Sequence, residues 1–164
     1  TPRVLKAYSD YLKQSTQKLP LLIADLKGDV IDQILEEENI REIKSYIHAP
    51  GYIANTDLAA LYCGAFAFLY PSLRESFGIP MLEAMACGTP IIAGNTSAMP
   101  EIAGEGALLA DPFNSNDITE KILQLENDQT LYQQQVEYGI QRSQLFSWRN
   151  TAESLLKIYK EFAK

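Results

Sequence analysis

Apolar positions along the chain switch between two periods. In "TPRVLKAYSDYLKQ", Val4, Leu5, Tyr8, Tyr11 and Leu12 recur at helical spacing and predict an amphipathic helix. Thr1 is placed to cap it, with Pro2 at its first position, where a missing N–H is tolerated. "PLLIAD", Pro20 to Asp25, is instead an unbroken apolar run, as expected of a strand covered on both faces. The alternation then repeats. "DVIDQILEEEN" puts Val30, Ile31, Ile34 and Leu35 on one helical face, and "SYIHA" reads as a strand ending at the turn "PGY". "NTDLAALYCG" reads as a helix capped by Asn55 or Thr56 and stopped at Gly64. "AFAFLYP" is a third buried strand, ended by Pro71. It is followed by a loop and helix in "SLRESFGIPMLEAMACG", the strand "PIIA", a helical turn at "MPEIAG" and the strand "GALLAD". From residue 112 onward three helical segments remain: "NDITEKILQLEN", "DQTLYQQQVEYGIQRSQ" and "SWRNTAESLLKIYKEFAK". The last aligns Trp148, Ala152, Leu155, Tyr159 and Phe162, and these helices are expected to pack on the sheet and on a neighbouring domain.

Strands alternating with helices imply an α/β fold: a Rossmann-like parallel sheet with helices on both faces. Ligands of such sheets bind beyond the C-terminal strand ends, so the loop from Pro71 to Gly78 is placed for function. Composition agrees, since 164 residues, 46% of them hydrophobic, are enough for one domain with a real core. No apolar run reaches the roughly 20 residues of a membrane span, and no stretch has the charged-then-apolar form of a signal segment. A net charge of -7 argues against a nucleic-acid surface but not against a small anion held by backbone N–H groups. Cys63 and Cys87 read as small buried residues in a reducing, cytoplasmic compartment. With His48 the only histidine, no metal cluster is available.

The loop-to-helix stretch carries the chemistry. Its helix is expected from Ile79 or Pro80 to about Cys87, stopped by Gly88. Met81, Leu82, Ala84, Met85 and Ala86 are apolar on every side, which predicts deep burial. The helix N-terminus leaves N–H groups without partners, and Gly78 lets a ligand approach the backbone. A diphosphate would satisfy those donors and the helix dipole together. Glu75 and Glu83 flank this tip. If most of the span is helical they stand about 12 Å apart, from a rise of about 1.5 Å per residue. That exceeds the roughly 5–9.5 Å of carboxylates acting on one glycosidic bond. Two hydroxyl-bearing groups on either side of a diphosphate fit better, which is the layout of a nucleotide sugar. A structural reading stays open: Glu83 in the first turn, favoured by the dipole, and Glu75 paired with a cation or capping the helix. Arg74 and Lys27 read as solvated charges and His48 as a structural strand-end residue.

"ESFGIPMLE", followed by "EAMACGTPIIA", "PEI" and the later "FSW", resembles the E-x7-E motif of retaining glycosyltransferases of the GT-B fold, family 4. The likeness covers nearly the whole chain and follows that family's second domain in order. It implies a nucleotide-sugar donor as substrate, no cofactor, no metal, and a setting in polysaccharide biosynthesis. By position, Glu75 would contact the donor-sugar hydroxyls and assist transfer, and Glu83 would hold the ribose. The backbone around Ser76, Phe77, Gly78 and Ile79 would face sugar and diphosphate, and Tyr52 and Ile53 would hold the base. Leaving-group charge would be stabilised by fixed positive groups and the helix end. The family's earlier strand and loop, with an Arg and a Lys for the diphosphate, and its N-terminal acceptor-binding domain lie outside this sequence. Residues 1–164 are therefore expected to be a single donor-binding domain, a fragment of a larger two-domain enzyme that is inactive alone, with 112–164 its all-helical part. A peripheral membrane association of the parent is compatible with this. Competing readings are a nucleotide-sugar epimerase or a phosphorylase of the same architecture, and a flavodoxin-like signalling module built on Asp25. The phosphorylase needs a lysine for a cofactor aldehyde; the signalling module needs an acidic cluster beside Asp25 and a late lysine. No residues stand out for either.

Overall fold

In the computed structural model, which describes residues 1–163, short parallel strands alternate with helices. The order is α1 (Pro2–Gln14), β1 (Leu21–Ala24), α2 (Gly28–Glu37), a 3-10 segment (Arg41–Tyr46), β2 (Ile47–Gly51), α3 (Asn55–Gly64) and β3 (Phe68–Tyr70). It continues with α4 (Ile79–Ala86), β4 (Ile91–Gly94), α5 (Met99–Ala103), β5 (Leu108–Ala110), α6 (Ser115–Asn127), α7 (Gln129–Gln144) and α8 (Trp148–Phe162). The strands fall into two sheets: β1 pairs with β2, and β4 lies between β3 and β5. Phe68 is opposite Ile91, and Ala93 lies between Tyr70 and Leu109.

All four residues of β4 are buried, because helices cover both of its faces. Ile92 enters a core with Leu5, Tyr8 and Tyr11 of α1, Leu35 of α2, and Ile118 and Leu125 of α6. Ile91 and Ala93 face the other way, onto Met81, Ala84 and Met85 of α4 and Met99 and Ile102 of α5. Gly139 lets α7 lie close on α4, since a Cβ there would stand 3.4 Å from Met85 Cγ. On the opposite face Thr119 Oγ1 donates to the Ala7 carbonyl at 2.9 Å, and Ser15 Oγ donates to the Glu126 carboxylate at 2.8 Å. These bonds tie α1 to α6.

Several expectations need correction. β1 is not covered on both faces. Leu21 and Ile23 pack inward, whereas Leu22 is 45% exposed, and β2 alternates in the same way. An apolar run reports side-chain chemistry, not how many helices arrive to cover it. The second strand starts at Ile47 and continues through Gly51, since Ser45 and Tyr46 belong to the 3-10 segment. In "AFAFLYP" only Phe68–Tyr70 are strand; Phe66 instead packs on Tyr132 of α7, 5.0 Å between ring centres. Ala54, not Asn55 or Thr56, is the N-cap of α3. Cys63 is exposed and Cys87 half-buried, both as free thiols where the ends of α3 and α4 meet. Finally, α8 buries none of its residues, and Trp148 and Phe162 are more than four-fifths exposed, at 84% and 86%. Its apolar face does not pack on the sheet; Lys164, the end of that expected helix, lies outside the described residues. Among those residues no helix is long and apolar enough to cross a membrane.

Truncating the fully buried Met85 to alanine is expected to cost about 2–5 kcal/mol, read from urea unfolding. A second outcome concerns acid. Burial works to raise the Glu126 carboxyl, but hydrogen bonds from Tyr11, Ser15, Gln17 and Thr16 outweigh it and hold the group below its ordinary value. A depressed folded-state value stabilises the fold above the unfolded-state value, and the contribution fades as pH falls through the depressed one. Thermal melts of Glu126→Gln against the parent chain should therefore differ at neutral pH and converge on acidification.

Candidate functional site

The site is built where β3 and β4 end. After Tyr70 the chain leaves the sheet, crosses a loop, and enters α4 through Gly78. Gly78 is the N-cap and has φ +102, a conformation that side chains resist. Pro80 sits in the first turn, where it removes no helical bond. No side chain caps the helix, and the Met81 and Leu82 N–H groups return to the Gly78 carbonyl. Among the described residues the Gly78 and Ile79 N–H groups meet no protein acceptor. The tip of α4 therefore presents free donors at the positive end of the helix dipole.

Glu75 lies half-buried in the loop, beside the Tyr70 hydroxyl. Burial first, and then the Glu75 carboxylate, push that hydroxyl up to about 12. Glu83 is exposed on α4 and faces α3; after burial, its charge contributes to raising the Tyr62 hydroxyl. Tyr62, Phe68 and Tyr70 form a row, with ring centres 5.2 and 5.4 Å apart. Glu75 thus raises the Tyr70 hydroxyl and Glu83 the Tyr62 hydroxyl of this row, and the loop and helix tip lie between the two acids in the chain.

Three details differ from the sequence reading. Glu83 is the fifth residue of α4, beyond the first turn, so the dipole that falls off within that turn does little for it. Residues 75–78 are loop and not helix, so the premise of a continuous helical rise between the acids does not hold. Moreover, α4 buries one side only: Leu82 is half-buried and Ala86 exposed.

Of the other anticipated residues, Ser76, Phe77 and Ile79 are exposed around the tip, whereas Gly78 itself is buried. Tyr52, 79% exposed, and the half-buried Ile53 follow the C-terminal end of β2 and lead into α3. Arg74 is exposed, Lys27 is the exposed N-cap of α2, and His48 is exposed within β2 rather than at its end.

Sequence reasoning missed what holds the loop. At the end of β4, a Cβ on Gly94 would lie 2.6 Å from the Ser72 carbonyl, so only glycine allows this approach. Thr96 Oγ1 donates to the Leu73 carbonyl at 3.2 Å. Ser97 Oγ accepts from the Glu75 N–H at 3.2 Å and donates to the Glu75 carbonyl at 2.7 Å. On the far side, Phe146 meets Phe77 edge to face, 5.7 Å between centres and 87° between planes. The Arg142 guanidinium lies 5.0 Å above Phe146 and donates to the last carbonyls of α5, Glu101 and Ile102. "FSW" entered only through the family likeness, which does not say which loop it touches, and nothing next to Thr96 and Ser97 in the chain marks them as partners of the loop.

Comparison with known proteins shows the family and the fold. Residues 2–142 match the family model described as Glycosyl transferases group 1. The chain is 34% identical over 160 residues to O-antigen chain mannosyltransferase B of Escherichia coli, covering 96% of this chain and 41% of that protein. It thus spans about two fifths of that relative's length. Among solved structures it resembles Anabaena HepE in complex with UDP and glucose, with a TM-score of 0.80, 19% identity, and 98% of this chain on 45% of that one. Sucrose-phosphate synthase of Thermosynechococcus elongatus gives a TM-score of 0.78 at 24% identity, 98% of this chain on 42% of that one. These likenesses support the parallel α/β architecture of the C-terminal half of a GT-B fold. By its family match over most of its length, the chain belongs to the group 1 glycosyl transferases.

Proposed function

We propose that this chain is the donor-binding part of a retaining, family 4 glycosyltransferase, taking a nucleotide-diphosphate sugar as substrate and needing no cofactor or metal. The observation that carries the reading is the uncapped tip of α4, which begins at the left-handed Gly78 with Glu75 before it in the loop and Glu83 after it on the helix. The diphosphate lies against the Gly78 and Ile79 N–H groups, which are already oriented and lose little on reaction. Glu75 holds donor-sugar hydroxyls and assists transfer, and Ser76 and Phe77 line the sugar. Glu83 binds the ribose, and Tyr52 and Ile53 cover the base. As charge builds on the departing diphosphate, the fixed N–H dipoles stabilise it more than they stabilise the bound donor, which is what lowers a barrier. Acceptor binding belongs to a further domain of a longer, cytoplasmic protein, so the chain alone carries no transfer activity. The mannosyltransferase relative makes a mannosyl donor the first to test.

The test is an NMR titration of the chain with UDP, GDP and ADP, and with UDP-glucose and GDP-mannose. Glu83→Gln is expected to weaken both bare and sugar-bearing ligands by about tenfold, the scale of one lost charged hydrogen bond. Glu75→Gln should weaken only the sugar-bearing ones. Indifference of both variants would return the pair to a structural role.

A further inference from the structure

The donor loop has few contacts of its own to hold its shape. Glu75 is the residue whose orientation matters most, and both of its backbone polar groups bond to one side chain, the Ser97 hydroxyl. A hydroxyl that accepts from the N–H and donates to the C=O of the same residue restrains the backbone on both sides of that Cα. This sets the direction in which the Glu75 side chain leaves the chain. Ser97 itself has φ +59, where glycine would be the unstrained choice, so the position keeps a hydroxyl despite the backbone. It stands two residues before α5, whose Met99 is fully buried, so the hydroxyl is mounted on a fixed base. At its far end α5 is held by Arg142, and Arg142 also covers Phe146, the ring that meets Phe77.

We propose that Ser97 is a positioning residue for Glu75 and Phe146 the opposing support at Phe77, with Arg142 joining the two. This rests on the donor-binding reading above, and it adds that donor-sugar affinity is set by residues that never touch the donor. Ser97→Gly is the discriminating change, since it relieves the backbone while deleting the hydroxyl. If the position mattered only for its backbone, Ser97→Ala would be near neutral, Ser97→Gly would relieve strain, and neither would loosen Glu75. If the hydroxyl matters, both lose it.

Two measurements on this chain separate the possibilities. Amide exchange by NMR is expected to speed up about tenfold at Glu75 in both Ser97 variants, the scale of one net hydrogen bond. Phe146→Leu should instead shift the Phe77 ring resonances, which lose their edge-to-face neighbour, with α1 and α6 unchanged in all three. In titrations, Ser97→Gly should lower the preference for UDP-glucose over UDP, or GDP-mannose over GDP, by about fivefold to tenfold, leaving the bare diphosphates unaffected. Unchanged exchange at Glu75 overturns the clamp. Faster exchange with an unchanged preference for the sugar overturns its role in donor binding. An unmodified chain that binds none of the probes, while Glu75 still responds, overturns the donor reading and leaves the loop clamp standing.

Discussion

The burial of β4 on both faces is the constraint from which the rest of the molecule follows. Four residues, Ile91 to Gly94, have no exposed side, and alternate side chains enter two separate cores. One core draws in α1, α2 and α6; the other draws in α4 and α5, with α7 packed over α4. Neither layer can shift without opening a cavity against the strand, which in a close-packed interior costs several kcal/mol. The C-terminal end of β4 is therefore a fixed point. Gly94 meets the Ser72 carbonyl there, and the Thr96 and Ser97 hydroxyls reach the loop from the same place.

The site combines that fixed point with the glycine-led start of α4. Like α1, α2, α3 and α5, α4 has no capping side chain; among them it alone begins at a left-handed glycine. The chain carries a net charge of -7, yet its local donors at this tip favour an anion, because oriented N–H groups act over one turn whereas net charge is spread over the surface and screened. The carboxylates of Glu75 and Glu83 are not the groups that cap this tip.

Apolar surface stays exposed in two places. The outer face of β1 and β2 and the apolar stripe of α8 bury nothing. α8 shows the amphipathic period of a helix that packs, without a partner inside the described residues. The chain spans about two fifths of the length of the mannosyltransferase relative it matches.

Much of this was legible from residue order. The helical periods of α1 and α2, the helical segments that became α6 and α7, the "PIIA" strand, and the glycine-led start of α4 follow from side-chain spacing and from the few conformations glycine and proline impose. The candidate site stretch from Glu75 to Glu83 was legible for the same reason: its chemistry is contiguous. What lay beyond reach was long-range. Leu22 and Ile23 are equally apolar, and only the arrival of α1 and α2 on one side decides which is buried. Ser97 and Phe146 are 22 and 69 positions from the groups they hold, and nothing in their immediate neighbours encodes that pairing. Local spacing sets periodicity and turn geometry because those depend on adjacent residues; tertiary structure alone decides coverage and support, because these depend on which distant surfaces meet.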